Sequence, residues 1–283
     1  MRKLCKLTSD DVRLLIPDRK IFSHKGDYGK VLLLCGSRGY TGAAALSAMG
    51  ALRTGAGLVY LAVPESIYSI SAVKLTEPIV IPLPDQDGKL SSAAIDQIGK
   101  LLPNMDAVLI GPGLGQSEGT LSVVKYILQN CNLPVVLDAD GINVISQHKD
   151  ILRDRTAPTV LTPHDGEFKR IGNLISDDRA ASASTLAREL GCIVLLKGHR
   201  TIISDGETSY INETGNPGMA TGGSGDVLSG VIVSLIGQGL DPLQAAACGA
   251  WLHGAAGDIC AKEIGQYGML PSDMLQVLPR LLP

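Results

Sequence analysis

Aromatic side chains, charge of one sign and long apolar runs are all scarce in this sequence. Only 4% of the 283 residues are aromatic, and 25 Lys plus Arg stand against 28 Asp plus Glu, a formal net charge of −3. Proteins that bind a phosphate backbone carry a positive excess, so nucleic acid is excluded as an expected partner. No uninterrupted apolar run approaches the ~18 residues that span a membrane, and we expect no membrane association.

The cysteines also lack any pattern that indicates a structural site. The six of them are far apart, with no CxxC pair and no histidine at metal-ligand spacing. A zinc site or a disulfide framework is therefore not expected, and separated thiols are typical of a reducing cytosol. The N-terminus is basic but reaches Asp10 and Asp11 without an apolar signal region. These features predict a cytoplasmic protein without a membrane anchor.

The chain has instead much apolar sequence and much glycine. Hydrophobic residues make up 45%, and 33 glycines are spread along the chain without a period. Such a composition predicts a globular protein whose glycines serve turns and close backbone approaches. The length allows one large domain or two small ones. Because no linker or repeat interrupts the pattern, we expect one domain over residues 1–283.

Short apolar runs alternate with amphipathic or Ala-rich segments, which predicts an α/β fold with a mostly parallel central sheet and helices on both faces. Asp205-Gly206 favours a tight hairpin turn and adds an antiparallel edge. Strands are predicted at residues 30–36, 58–63, 107–111, 134–138, 159–162, 192–197, 201–204 and 208–212. Helices are predicted at residues 42–53, 91–102, 118–129, 177–190, 225–237 and 242–262.

In the segment NPGMATGGSGDVLSG at residues 216–230, a glycine-dense stretch leads directly into an apolar helix. The backbone amides of Gly223, Ser224 and Gly225 lie at the helix start, where unpaired N–H groups and the positive end of the dipole bind anions. A carboxylate at Asp226 is unfavourable beside a phosphoryl group unless it accepts a hydroxyl proton during phosphoryl transfer. The alternative is an aspartate that only stabilises its own helix.

A Walker A sequence is absent, which excludes a P-loop nucleotide site. GPGLG at residues 111–115 indicates either a tight turn or a close backbone approach to a ligand, and it lacks the full dinucleotide fingerprint. Asp138 and Asp140 follow a predicted strand, where turn and cap chemistry explains them. The sequence assigns no role to His24, His148 and His253.

Polar side chains end two further predicted strands, at the edge where ligands bind in open α/β sheets. Glu167 can orient the waters of Mg²⁺ and His164 can contact a substrate, since Mg²⁺ keeps waters and few carboxylates. Both residues can equally belong to an ordinary helix N-terminus. Lys197 can meet a phosphate or remain solvated.

Six segments, in this order, resemble the ADP-dependent (S)-NAD(P)H-hydrate dehydratase family of the ribokinase-like superfamily, and together they span nearly the whole chain. They are HKGDYGKVLLLCGSRGYTGAA at residues 24–44, GPGLG at 111–115, DADGIN at 138–143, LTPHDGEF at 161–168, LLKGHRT at 195–201 and NETGNPGMATGGSGDVLSG at 212–230.

The resemblance implies restoration of NADH or NADPH from a hydrated form, NADHX or NADPHX, through phosphorylation of the ring hydroxyl and loss of phosphate. Asp226 is then the catalytic base, with Gly223, Ser224 and Gly225 around the phosphoryl group. The implied nucleotide contacts are Lys197, Gly198, His199, Arg200, Thr201 and Gly225. The implied contacts to the hydrated cofactor are Ala43, Gly113, His164 and Asp226, and Glu167 takes the place of an acid that organises Mg²⁺ through water.

The resemblance also implies a homotetramer, and ADP rather than ATP as phosphoryl donor, although the sequence does not decide between the two nucleotides. Some relatives carry an additional epimerase domain, so we expect a separate protein to epimerise the hydrate. Asp165, Gly141, Ile142 and Ser224 depart from the common family forms HPGE, DADALN and GTGD. Asp165 adds a negative charge near phosphates and weakens the His164 assignment. The alternatives are a vitamin or small-alcohol kinase of the same superfamily and a nucleotide sensor without turnover.

Overall fold

The computed structural model describes residues 3–172 and 174–283 of the chain. Within these residues, ten strands form one sheet. In spatial order they are β1 (Lys3–Cys5), β12 (Thr208–Ile211), β11 (Ile202–Ser204), β10 (Ile193–Leu196), β9 (Thr159–Leu161), β8 (Val135–Leu137), β7 (Ala107–Ile110), β2 (Lys30–Leu34), β3 (Leu58–Pro64) and β4 (Ile79–Leu83). A separate two-stranded hairpin contains β5 (Asp85–Gln86) and β6 (Lys89–Leu90).

Neighbouring strands of the main sheet are parallel except where β11 pairs with β10 and with β12. The mostly parallel sheet with an antiparallel part is therefore confirmed. The helices are α1 (Ser9–Leu15), α2 (Thr41–Arg53), α3 (Glu65–Lys74), α4 (Ile95–Leu101), α5 (Glu118–Asn130), α6 (Asp140–Ile145), α7 (Asp150–Arg153), α8 (Asp165–Ile171), α9 (Arg179–Leu190), α10 (Ser224–Gly237), α11 (Pro242–Glu263) and α12 (Pro271–Val277). None of the helices in the described part of the chain is long and apolar enough to cross a membrane.

Two apolar cores lie on opposite faces of the sheet, because successive side chains of a strand point to opposite sides. In β2, Val31 and Leu33 pack into the core that includes α2, α10 and α11, whereas Leu32 and Leu34 pack into the core that includes α5 and α9. All four side chains are fully buried. Burial of each contributes roughly 1.5 to 3 kcal/mol, so both faces of the central strands stabilise the fold.

Helices α2 and α10 approach closely because small residues lie between them. A Cβ atom at Gly50 would come 2.7 Å from the Val227 carbonyl oxygen, and one at Gly230 would overlap the carbonyl of Ser47. Any larger side chain at these two glycines would push the helices apart. The close contact fixes the position of α10 relative to α2. Residues 222–226, the GGSGD segment, lead into α10 and form its start.

The strand order reverses at β2, which pairs with β3 on one side and with β7 on the other. The chain proceeds from β2 to β3 and β4, and then returns to β7 across β2. Just beyond the strand ends, the Gly36 amide donates to the Pro112 carbonyl at 2.8 Å. Ligands of open α/β sheets bind at such a reversal, outside the carboxyl ends of the strands. The fold therefore predicts that a ligand binds among the loops at this edge.

Candidate active site

The GGSGD segment forms the predicted turn into α10. Gly223 precedes the helix with a φ of +97°, and α10 begins at Ser224. The Ser224 amide donates to the Thr221 carbonyl at 3.4 Å, a long bond. Among the described residues no backbone acceptor pairs with the amides of Gly223, Gly225 or Asp226. The helix start thus carries N–H groups that can receive an anion.

Asp226 follows this turn, in the first turn of α10, and is partly buried. Burial and, to a smaller extent, the Asp138 carboxylate raise the pKa of its carboxyl, the Lys197 cation opposes both, and the net result is a rise from 3.8 to about 6. A carboxylate whose pKa lies just below neutral is mostly ionised at pH 7 and still binds a proton well. Asp226 therefore has the acidity expected of a general base, which a purely capping aspartate does not need.

Lys197 lies at the end of β10 between two buried carboxylates. Its Nζ is 2.7 Å from Asp138 Oδ1 and 3.8 Å from Glu167 Oε2. The carboxylate side chains are only 2% and 5% exposed. Burial lowers the pKa of Lys197, but Asp138 and Glu167 outweigh burial and raise the pKa overall. Lys197 is therefore a permanent cation in this cluster, and Asp138 does more than the turn and cap chemistry that explains it in the sequence.

The start of α8 combines both interpretations of the HDGE motif. The His164 imidazole Nδ1 accepts from the Gly166 amide at 2.9 Å, and Glu167 Oε2 accepts from the His164 amide at 2.8 Å. This reciprocal pattern is a capping box, so the helix N-terminus is real. At the same time Glu167 faces Lys197, and the His164 side chain is 55% exposed. Capping thus fixes Glu167 inside the cluster and leaves His164 accessible to a ligand.

The variant residue Asp165 is paired with a cation. Arg179 Nη1 donates to Asp165 Oδ1 at 2.9 Å, and Arg179 Nη2 donates to the Lys197 carbonyl at 2.9 Å. The extra negative charge near the site is therefore balanced, and the same guanidinium ties the start of α8 to the end of β10. Arg179 has no equivalent among the residues that the sequence motifs indicate.

Ala43 and Gly113 are brought together at the reversal of the strand order. Gly113 has a φ of +63°, and a Cβ there would lie 2.8 Å from the Ala43 Cβ. Ser37 Oγ donates to the Gly113 carbonyl at 2.7 Å, and the Gly115 amide donates to Asp140 Oδ2 at 2.9 Å. The GPGLG segment is thus a tight turn whose backbone approaches the start of α2 closely.

The predicted nucleotide segment continues from Lys197 into an exposed turn. Thr201 Oγ1 donates to the Gly198 carbonyl at 2.9 Å, which closes the turn between β10 and β11. Arg200 has a φ of +58° and donates to Glu213, and hydrogen bonds from Arg200 and Lys6 lower the pKa of Glu213 to about 2. His199 is exposed. Gly198 and Arg200 are exposed as well, whereas the Asp138 side chain is only 2% exposed.

Sequence reasoning missed His253, which lies in α11 and contacts the turn at the start of α10. Its Nε2 is 3.3 Å from Ser224 Oγ, and burial lowers the pKa of the imidazole to about 4. The two residues are 29 positions apart on different helices. No spacing rule connects them, so only the packing of α11 against α10 reveals the pair.

Comparison with known proteins places the chain in a family. Residues 31–280 match the family model described as NAD(P)H-hydrate dehydratase. The bifunctional NAD(P)H-hydrate repair enzyme Nnr of Moorella thermoacetica is 46% identical over 98% of this chain and 53% of its own length. This chain therefore spans about half the length of the first relatives it matches. The ADP-dependent (S)-NAD(P)H-hydrate dehydratase of Cenarchaeum symbiosum is 37% identical over 96% of this chain and 95% of its own.

Solved structures agree with the sequence comparison. The ADP/ATP-dependent NAD(P)H-hydrate dehydratase of Bacillus subtilis, crystallised with ATP and Mg²⁺, superposes with a TM-score of 0.83 at 32% identity, over 97% of this chain and 96% of its own. Arabidopsis thaliana ribokinase shares the fold alone, with a TM-score of 0.56 at 14% identity over 89% of this chain and 98% of its own. The ribokinase-like fold is thus confirmed, and the chain belongs to the NAD(P)H-hydrate dehydratase family.

Proposed function

We propose that this chain is an ADP-dependent (S)-NAD(P)H-hydrate dehydratase that converts NADHX and NADPHX back to NADH and NADPH. The observation that carries the proposal is the position of Asp226, whose carboxyl has a pKa of about 6, beside free backbone amides at the start of α10. Family membership supports the substrate, and the name of the Cenarchaeum symbiosum relative supports ADP as donor.

The proposed reaction has two chemical steps. Asp226 removes the proton from the ring hydroxyl, the hydroxyl oxygen bonds to the β-phosphorus of ADP, and the bond from that phosphorus to AMP breaks. The lone pair of the ring nitrogen then expels phosphate, and loss of a proton from the neighbouring ring carbon forms the double bond of the reduced nicotinamide ring, which leaves AMP and phosphate. Phosphorylation is useful because phosphate is a far better leaving group than hydroxide. The need to phosphorylate the hydroxyl explains why a lyase would have a turn that binds a phosphoryl group.

The residues around Asp226 have separate tasks in this scheme. The amides of Gly223, Ser224 and Gly225 stabilise the charge on the transferring phosphoryl group. Lys197 holds the buried carboxylates of Asp138 and Glu167 and keeps the pKa of Asp226 from rising further. In our proposal Gly198, His199, Arg200 and Thr201 border the adenine nucleotide, and Ala43, Gly113 and His164 border the hydrated cofactor.

Mg²⁺ is proposed as the metal of the reaction. It usually takes one or two protein carboxylates together with substrate phosphates and waters. Asp138 and Glu167 supply two buried carboxylates that share one lysine, and the second oxygen of Asp138 is 3.9 Å from the position of a Cβ at Gly225. This donor chemistry fits the ion, with Glu167 acting through water. When bound, Mg²⁺ would neutralise phosphate charge.

The first experiment follows the recovery of NADH absorbance from purified NADHX with Mg²⁺ and ADP, ATP or no nucleotide. Wild type is compared with Asp226→Asn and with Asp241→Asn, a matched change at the N-cap of α11, where Asn also caps well. We expect recovery that requires a nucleotide and falls by several orders of magnitude only in Asp226→Asn. The assay compares ADP with ATP as phosphoryl donor because the Bacillus subtilis relative is described as ADP/ATP-dependent.

Two other results would change the proposal. Near-normal turnover of Asp226→Asn would remove the general base from the mechanism. A stable phosphorylated product without any NADH would instead indicate a small-molecule kinase of the same fold.

Three further proposals concern the setting of the enzyme. A homotetramer rests on the family resemblance and a cytoplasmic location on the separated cysteines, and sedimentation and cell fractionation test them. A separate epimerase is proposed as a functional partner, supported by the relatives whose names describe a bifunctional repair enzyme. Complete conversion of a mixture of R and S hydrates by this chain alone would contradict the need for that partner.

A further inference from the structure

The buried residue His253 lies beside the start of α10. His253 belongs to α11, is 8% exposed, and places Nε2 3.3 Å from the Ser224 hydroxyl. Ser224 is itself 8% exposed and is the first residue of α10. The pair therefore links two helices at the point where the proposed phosphoryl site begins.

The imidazole is neutral at physiological pH. Burial is the main cause that lowers the pKa of His253 to about 4, a hydrogen bond with the Ser224 backbone opposes it, and the Lys197 cation lowers it further. A neutral imidazole has one donor and one acceptor nitrogen, so Nε2 can hold a hydroxyl without adding a charge to the site.

The turn that contains Ser224 has few other means of holding its shape. Gly223 and Gly225 flank Ser224, and neither has a side chain that could fix the backbone. Within residues 222–226, all of which the structure describes, Ser224 is the only residue whose own side chain forms a hydrogen bond, and Ser229 Oγ donates to the Asp226 carbonyl at the end of this segment. Since glycine is the most flexible residue, the direction of the neighbouring amides depends strongly on this one anchor.

We propose that His253 is a positioning residue that anchors the Ser224 hydroxyl and thereby aims the amides of Gly223, Ser224 and Gly225 at the transferring phosphoryl group. The reaction in this statement is the proposed dehydration, but the anchoring itself is a property of the free protein. Amides that already point at the phosphoryl group stabilise the transition state more than amides that must first be ordered. The anchor should therefore act on turnover more than on substrate affinity.

The test compares two ways of breaking the bond with two ways of keeping it. His253→Leu and Ser224→Ala remove one partner each, whereas His253→Gln and Ser224→Thr retain groups that can hydrogen-bond. We expect the first pair to lower kcat by about 10- to 100-fold with KM values changed by less than about threefold. The double variant should be no worse than either single one, because both lose the same bond. His253→Gln should retain most of the turnover, and Ser224→Thr should turn over substrate faster than Ser224→Ala.

A second measurement does not depend on the reaction. Hydrogen–deuterium exchange of residues 220–228 in the free protein should become at least about tenfold faster in His253→Leu and Ser224→Ala, and should stay near wild type in His253→Gln. Ser224→Ala is the smaller change and covers the case in which His253→Leu fails to fold.

Each outcome decides for or against the anchor. Unchanged exchange, unchanged kcat in a folded Ser224→Ala, or additive losses in the double variant would overturn the proposal. If wild type shows no dehydratase turnover with any nucleotide, the proposed function fails, and the exchange experiment alone decides whether His253 anchors the turn.

Discussion

Asp226 should lower the stability of the folded chain at neutral pH, so Asp226→Asn should produce a more stable protein. The pKa of this carboxyl is raised from 3.8 to about 6 in the folded state, chiefly by burial. At about 1.36 kcal/mol per pKa unit, ionisation of the folded group costs roughly 3 kcal/mol. Because the side chain is only partly buried, solvent screens part of this cost. We therefore expect a gain of about 1 to 3 kcal/mol.

The pH dependence of this gain has a definite sign. A carboxyl whose folded pKa exceeds its unfolded pKa binds its proton more tightly in the folded state. Its unfavourable contribution is absent below pH 3.8, grows between 3.8 and about 6, and is complete above that range. The difference between Asp226→Asn and wild type should therefore be largest near pH 8 and nearly zero near pH 4.

Urea and thermal unfolding at pH 8 and pH 4 measure this difference. A chain of this size gains about 2 °C in Tm per kcal/mol, so we expect a rise of roughly 2 to 6 °C at pH 8. Asp241→Asn serves as the control, since it makes the same chemical change at the N-cap of α11. Equal stability of Asp226→Asn and wild type at pH 8, or a gain that persists undiminished at pH 4, would refute the reasoning.

Three other predictions concern the same cluster. In wild type kcat/KM should fall about tenfold between pH 7 and pH 5, with a midpoint near the pKa of about 6, and Lys197→Met should move that midpoint upward because Lys197 lowers the pKa of Asp226. Gly225→Ala should fold, since the added Cβ would lie 3.5 Å from Lys197 Nζ, yet calorimetry should show nucleotide affinity at least about tenfold lower. Arg179→Gln and Asp165→Asn should each raise the nucleotide KM several-fold, and their effects should not be additive because both variants lose the same ion pair. An unchanged KM in both variants would contradict a role for this ion pair in nucleotide binding.

The buried centre of the fold could be predicted from the sequence because its strands are short apolar runs. The predicted strand at residues 30–36 is β2, and the predicted one at 192–197 is β10, each ending within two residues of the expected position. Strand β4 could not be predicted in the same way. It contains Pro82 and is mostly exposed or half-buried, features that weaken an apolar run and belong to an edge.

Two helix starts were predicted to the residue, and a side chain caps both of them. The helices predicted at residues 118–129 and 242–262 begin at Glu118 and Pro242, where Ser117 accepts from the Thr120 amide and Asp241 accepts from the Leu243 amide. Helix α3 lacks such a signal, since no side chain caps it and several of its apolar residues face solvent. An amphipathic pattern is then missing, and with it the reason to predict a helix.

In the candidate site, too, the sequence indicates some of the residues but not the contacts between them. Glu167 and Lys197 could be found because each follows a strand, and parallel strands bring their carboxyl ends to one edge. Asp138 also follows a strand, but turn and cap chemistry explained it in the sequence. Their pairing could not be found, since Lys197 and Asp138 are 59 residues apart and join only through the order of β8, β9 and β10. Arg179 and His253 come from helices, where sequence gives no register with the loops.

The charges of the completed cluster explain why a base of this acidity is useful here. One cation, Lys197, faces the carboxylates of Asp138, Glu167 and Asp226, so the cluster carries a negative excess before any phosphate arrives. Each further negative charge raises the proton affinity of Asp226, whose pKa is already raised to about 6. A bound nucleotide would thus make Asp226 a stronger base at the moment when a hydroxyl must lose its proton. The same excess favours a divalent cation beside the phosphates, which is why the proposed Mg²⁺ and the proposed base depend on the same charges.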